Sequence, residues 1–260
     1  MITASARVVA VANQKGGVAK TTTVASLGAA LAELGRKVLV VDLDPQACLT
    51  FSLGLDPDVL ELSVHDVLLG RVSAGMAVHP TEDGPDLLPA TIELTGCEKA
   101  LAWRTGREYC LRTALADVAA SYEFILLDCP PTLGVLTLNA LTAADEVLIP
   151  LQCESLSHRG VGLLIDTVRD VQRLTNRDLR VLGVLPTLYD GRTTHAREVL
   201  ADISERYALP VLDPIAKSVR FAEAPSQGRS VLQTATRSPG ALAYRALAQW
   251  MIGHDPGLLP

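Results

Sequence analysis

Lys15-Gly16-Gly17-Val18-Ala19-Lys20-Thr21-Thr22 lies between a run with strand character and a run with helical character. The upstream segment, Arg7-Val8-Val9-Ala10-Val11-Ala12, is apolar and rich in β-branched residues, which predicts a buried strand. Downstream, Val24, Leu27, Ala30, Leu31 and Leu34 recur at helical spacing and predict an amphipathic helix over 22–34. A glycine-rich turn between strand and helix brings backbone N–H groups and the helix dipole to bear on an anion. In such a turn Lys20 is placed to reach the β- and γ-phosphates of a nucleotide, and the Thr21 hydroxyl to ligate Mg²⁺.

The strict pattern G-x-x-x-x-G-K-[ST] fails, because Gln14 and Ala19 occupy its two glycine positions. What remains is a second lysine, Lys15, five residues ahead of Lys20. A lone loop lysine ordinarily reads as a solvated charge. Beside Gly16-Gly17 and Lys20-Thr21 it reads as part of the site. Ala19 has two readings: at positive φ its β-carbon is costly, whereas at negative φ a methyl costs little.

The chain resembles the ParA/MinD group of P-loop ATPases, whose deviant Walker A motif has the form K-G-G-x-G-K-[ST]. It departs from that form at Ala19, where glycine is usual. The resemblance runs through nearly the whole chain. Residues 37–46 look like the second strand and its D-x-D-P-Q segment, and residues 122–131 like the Walker B strand and switch segment. Segments 145–154 and 181–193 resemble later strands and their loops. Val219-Arg-Phe-Ala-Glu-Ala-Pro-Ser226 is similar to the chromosome- and plasmid-partitioning branch, and the nearest likeness is to short, Soj-like chromosomal ParA proteins.

Composition sets the frame for that resemblance. At 260 residues, without a linker, repeat or low-complexity run, the chain reads as one domain, 1–260. Alternating strand and helix segments predict a doubly wound α/β fold, a mainly parallel sheet flanked by helices. The stretch 70–89 reads as an irregular connection ending in a short strand. Five cysteines without a C-x-x-C pair argue against a disulfide framework or zinc site and fit a reduced cytosol. Cys129, beside Asp128, reads as a small buried filler rather than a nucleophile. The N-terminus shows no signal pattern, and no apolar run reaches membrane-spanning length. Net charge is −6, all of it in residues 1–130; residues 131–260 balance, with 12 of their 13 basic residues arginine.

Loops at the carboxyl ends of parallel strands form the ligand crevice. The turns 15–22, 42–46 and 128–132 all follow apolar strands and should therefore meet around one phosphate group. Lys20 and the amides of Gly16, Gly17, Val18, Ala19, Thr21 and Thr22 would hold the phosphates, because phosphoryl transfer asks mainly for positioning and charge neutralisation. Asp128 would orient Mg²⁺ or its water beside Thr21, and Asp44 the attacking water, close to the metal. Asp42 is placed to support the metal through water. The alternative for Asp42 and Asp44 is ordinary turn acids.

The resemblance adds further roles. It implies slow ATP hydrolysis, an ATP-sandwich homodimer with Lys15 reaching the partner's phosphates, and a switch role for Pro130-Pro131. Glu154 either contacts the nucleotide, faces Lys15, or simply favours a helix N-terminus. The loops near Thr187 and Pro214–Ser218 would contact adenine, although Ile215-Ala-Lys-Ser218 departs from the I-P-R-N of many relatives. Arg192, Lys217 and Arg220, with Arg229 at the margin, would touch DNA phosphates without reading sequence. The implied setting is the nucleoid of the cytoplasm, with a ParB-like centromere-binding partner and no stable membrane association. Competing readings are a MinD-like membrane regulator, a positioning ATPase for another cargo, a nitrogenase-reductase-like iron–sulfur protein, and a DNA-binding protein with weakened hydrolysis. The cysteines do not fit the iron–sulfur reading. The tail 241–253 has one basic residue and reads as a packed helix rather than a basic membrane helix.

Overall fold

The strand predicted ahead of the glycine turn is β1, Arg7–Val11, and Lys20–Glu33 follows it as helix α1. A computed structural model describes residues 6–154, 157–192 and 194–254; Thr193, which closes one of the segments quoted above, lies outside them. Among the described residues six further strands follow: β2 Val38–Asp42, β3 His79–Pro80, β4 Asp86–Leu88, β5 Phe124–Asp128, β6 Glu146–Gln152 and β7 Arg180–Thr187. They make one sheet in the order β3-β4-β2-β5-β1-β6-β7. Every pairing is parallel except β3 with β4 at one edge. β2 and β5 are buried along their whole length, as continuous apolar strands covered on both faces must be.

The order explains where a ligand can bind. From β1 the chain crosses to β2 on one side, with β5 later inserted between them, while β6 and β7 are added on the other side. Direction reverses at β1, so its carboxyl end opens a crevice at the switch point. The glycine turn leaves the sheet at that end. Its helix, α1, lies tight on β2: a β-carbon on Gly28 would come within 2.8 Å of Val40. Two apolar cores form, one on each sheet face, with α1 and the last helix on the same side.

That last helix, Pro239–Gly253, is capped by Ser238, whose hydroxyl accepts from the Ala241 N–H at 3.3 Å. Tyr244, Leu247, Ala248 and Met251 are buried, and the Tyr244 hydroxyl lies 3.0 Å from that of Thr23 on α1. The tail is therefore a packed helix. Among the described residues no helix is long and apolar enough to cross a membrane. The stretch 70–89 holds more structure than its sequence predicts: a short helix, Ala74–Ala77, precedes β3 and β4. A two-residue strand carries no periodicity, and Pro80 is tolerated there because β3 is an edge.

Candidate functional site

The three turns predicted to converge do so. Asp42 and Asp128 are register partners at the ends of β2 and β5, and Val11 at the end of β1 is also in register with Asp128. Beyond them opens a cleft of about 1150 Å³ lined by Gly16, Gly17, Ala19, Lys20, Thr21 and Thr22 along one wall and by Asp44 and Pro131 at one end. Gly16 and Gly17 have nothing within 4 Å of where a β-carbon would stand, and Gly17 has φ +76°. Both glycines line the cleft just ahead of the amino end of α1, a place that favours an anion.

Ala19, immediately before α1, adopts φ 62° and ψ 35°. The left-handed conformation is real, and an alanine occupies it at a cost of about 1–2 kcal/mol. Of the two readings of Ala19, the structure takes the strained one.

Lys20 is buried at 7% exposure, and its ammonium donates to the Lys15 carbonyl at 3.1 Å. Burial lowers its pKa, against the pull of Asp128, Cys129 and Asp44. Asp128 is also buried, and among the described residues neither of its carboxylate oxygens has a hydrogen-bond partner. Burial first, and Asp42 second, drive its carboxyl well above the usual carboxylate range; the Thr21 hydroxyl, near but outside hydrogen-bonding geometry, and Lys20 oppose this. Two buried, unpartnered carboxylate oxygens beside the Thr21 hydroxyl suit a hard divalent cation, which takes oxygen ligands. Cys129 is buried and its thiol is pushed up, chiefly by burial, so it is no nucleophile.

Asp42 also holds the turn. Its Oδ2 accepts from the Thr50 N–H at 2.9 Å and the Thr50 hydroxyl at 2.8 Å, while Oδ1 accepts from the Asp44 N–H at 3.1 Å. These bonds tie the end of β2 to the helix α2, Cys48–Ser52, and leave Oδ1 a lone pair for a water. Burial pushes the Asp42 carboxyl up to about 6. Asp44 stands half-buried in the cleft, as a water-positioning acid should.

Lys15 borders a second cleft, about 590 Å³, with Gln14, Pro131, Leu151, Arg159 and Leu163. Its ammonium pairs with Glu154 at 2.5 Å. Of the roles considered for Glu154, the geometry is that of a partner to Lys15; it does not line the first cleft.

Both loops expected near adenine reach the cleft, through Leu188 beside Thr187 and through Lys217 and Ser218, although Thr187 and Pro214 themselves do not line it. Thr187 is 1% exposed and its hydroxyl donates to the Val18 carbonyl at 2.9 Å. It braces the glycine turn from β7, and Val18 is buried with its carbonyl held by that bond. Pro214 is exposed and outside the cleft. The wall far from the phosphates is instead apolar: Phe51, Pro57, Leu188, Val219, Phe221 and Pro225. Sequence reasoning missed it, although an aromatic one helical turn past the D-x-D-P-Q segment and another inside V-R-F-A-E-A-P were signals. The first cleft can thus hold a polyphosphate at one end and a flat base along the other.

Of the cations read as DNA contacts, Lys217 lines the cleft itself, whereas Arg192, Arg220 and Arg229 do not. Tyr189 N–H donates to Ile215 carbonyl at 3.0 Å and Lys217 N–H to Tyr189 carbonyl at 3.2 Å, joining the Arg192 loop to the Lys217 segment. Arg192, its side chain 90% exposed, grips Asp190 through two bonds of 2.9 and 2.8 Å. Asp190 is thereby held down to about 2, with Lys217 adding a smaller pull. Arg220 pairs with Glu223 at 2.9 Å, and Arg229 pairs with Glu82. Exposed pairs of this kind are screened by solvent and hold weakly, so a phosphate can replace the carboxylate.

Comparison with known proteins agrees with this geometry. A family model described as an AAA domain matches residues 6–181. The chromosome-partitioning ATPase Soj of Thermus thermophilus is 47% identical over 250 residues, spanning 96% of each chain. A structure named cobyrinic acid a,c-diamide synthase from Mycobacterium smegmatis, with bound ATP analogue and magnesium, is 56% identical with TM-score 0.86, covering 96% of this chain and 95% of that one. The cell division ATPase MinD of Pyrococcus furiosus is 28% identical with TM-score 0.77, covering 95% and 98%.

Proposed function

The chain belongs to the ParA/MinD family of P-loop ATPases, and we propose that it is the nucleotide-driven switch of a chromosome or plasmid partition system. ATP brings two copies together, the pair holds DNA without reading its sequence, and a ParB-like partner speeds hydrolysis. Release of DNA on hydrolysis makes the cycle a timer at the nucleoid.

The ATPase chemistry follows from the cleft. Phosphates rest on the Gly16 and Gly17 amides and the start of α1, and Lys20 turns from the Lys15 carbonyl toward them. Thr21 and Asp128 would hold Mg²⁺, which when bound would supply charge neutralisation at the phosphates. Asp44 orients water, and the apolar wall of Phe51, Phe221 and Pro225 takes the base.

One observation carries the dimer: Lys20 lines the cleft of the glycine turn, whereas Lys15 lines a neighbouring cleft that shares only Pro131 with it. A lysine that does not line its own chain's phosphate cleft is placed to meet the phosphates of a second copy. Sizing with a non-hydrolysable ATP analogue and Mg²⁺ should double the mass of the wild type and leave Lys15→Ala monomeric. Dimer formation undiminished in Lys15→Ala would sink the idea.

A second reading takes the name of the Mycobacterium smegmatis structure as a guide, with ATP driving amidation of cobyrinic acid. Relatives from Thermus thermophilus, Myxococcus xanthus and Caulobacter vibrioides, 40–47% identical, share partition-type names, and their agreement favours the first reading. Stimulation of turnover by cobyrinic acid with ammonia, and not by DNA with a ParB-like protein, would reverse that choice. Against a MinD-like role stands the packed last helix, so pelleting with anionic vesicles should retain no protein.

A further inference from the structure

Asn13 precedes the phosphate-binding turn and has none of the roles above, yet it is 3% exposed with both side-chain polar atoms bonded. β1 and β6 run in parallel register through Val11 and Leu148, and the Ala12 N–H still donates to the Leu148 carbonyl at 3.1 Å. The next acceptor in this ladder is the Pro150 carbonyl, but there the main chain has already turned away. The Asn13 amide takes the missing place, its Nδ2 donating to the Pro150 carbonyl at 2.7 Å.

Its other end reaches forward. Oδ1 accepts the Lys15 N–H at 3.0 Å, and the carbonyl of Lys15 accepts the Lys20 ammonium at 3.1 Å. The carbonyl on one side and the N–H on the other fix which way the amide points. Sheet, Asn13, the Lys15 main chain and Lys20 form one hydrogen-bonded line.

We propose that Asn13 is a positioning residue of the ATPase: it continues the sheet into the loop and fixes the Lys15 main chain, which shapes the turn for the phosphates of a nucleoside triphosphate and holds the Lys20 ammonium ready until they arrive. A packing residue of equal volume cannot do this, because the line needs one donor and one acceptor on the same short side chain. The proposal rests on the reading of residues 15–22 as the ATP turn.

The test is titration of wild type, Asn13→Ala and Asn13→Asp with a fluorescent ATP analogue in Mg²⁺, with steady-state turnover and thermal melts in parallel. Asn13→Ala should bind the analogue about 10-fold more weakly, in keeping with the loss of buried hydrogen bonds, and raise KM more than it lowers kcat. Asn13→Asp keeps the acceptor for Lys15 but can donate to Pro150 only when protonated. Its affinity relative to wild type should therefore recover as pH falls from 8 to about 5.5, where a partly buried carboxyl regains its proton. Lys15, Lys20, Glu154 and Arg159 also face this region, and the ratio to wild type removes their own titration. Affinity within twofold of wild type in both variants, even with a lowered melting point, would overturn the proposal, as would a pH-independent ratio for Asn13→Asp. A wild type that fails to bind the analogue would instead overturn the reading of the turn as an ATP site.

Discussion

Asp42 and Asp128 stand in register on neighbouring strands, both buried, yet one has both oxygens hydrogen-bonded and the other has neither. Equivalent positions on two strands have thus taken opposite tasks, one holding a turn and one open to a cation. Their raised pKa values mean that the folded chain keeps protons which the unfolded chain releases above about pH 4. Stability from this pair is full below that point and falls as pH rises through about 6, where Asp42 titrates. Melting of the nucleotide-free protein should therefore drop between pH 5 and pH 8. Asp128→Asn should flatten that drop and raise the melting point at pH 8, by about 2–4 °C per kcal/mol in a chain of this size. A steeper drop in the variant would contradict the assignment.

Ala19 at φ 62° stores strain that a glycine would not. Ala19→Gly should stabilise the protein by about 1 kcal/mol and leave affinity for an ATP analogue equal or higher. Chemical denaturation measures the first and fluorescence titration the second. A destabilised variant would show that the methyl makes contacts worth more than the backbone strain.

Thr187 reaches across the sheet end to the Val18 carbonyl. Thr187→Val keeps the shape and removes the donor, so the turn should loosen and ATP-analogue affinity fall about 3- to 10-fold, with Thr187→Ser close to wild type. An unaltered affinity in the valine variant would confine Thr187 to packing.

Asp190 neutralises Arg192 on the face assigned to DNA. Asp190→Asn frees the guanidinium and should strengthen retention of the ATP-bound protein on random duplex, with a steeper dependence on salt. Weaker retention would mean that Asp190 orients Arg192 for the contact rather than competing for it.

Much of this was legible in the chain. Strand β1, the turn 15–22 and Asp128 announced themselves through apolar runs ending in short polar motifs, because strand and helix periods are local signals. The conformation at Ala19 was not legible, since a methyl is compatible with either sign of φ until the helix start fixes it. Thr187 and Val18 are 169 residues apart, so their bond depends on β7 arriving beside the turn, which no local pattern states. The double bond from Thr50 to Asp42, eight residues apart, was not legible either, because it depends on α2 folding back onto the end of β2. Phe51 and Phe221 form one wall only after α2 and the segment 217–225 are folded against each other.

The most direct measurement is retention of the protein on random-sequence duplex at fixed salt, comparing ATP analogue with ADP, for wild type, Lys15→Ala and Arg220→Glu. Retention should require the ATP analogue, vanish in Lys15→Ala because the pair does not form, and vanish in Arg220→Glu although sizing still finds the pair. Equal retention with ATP analogue and ADP, or undiminished retention in Arg220→Glu, would contradict a nucleotide-driven DNA switch.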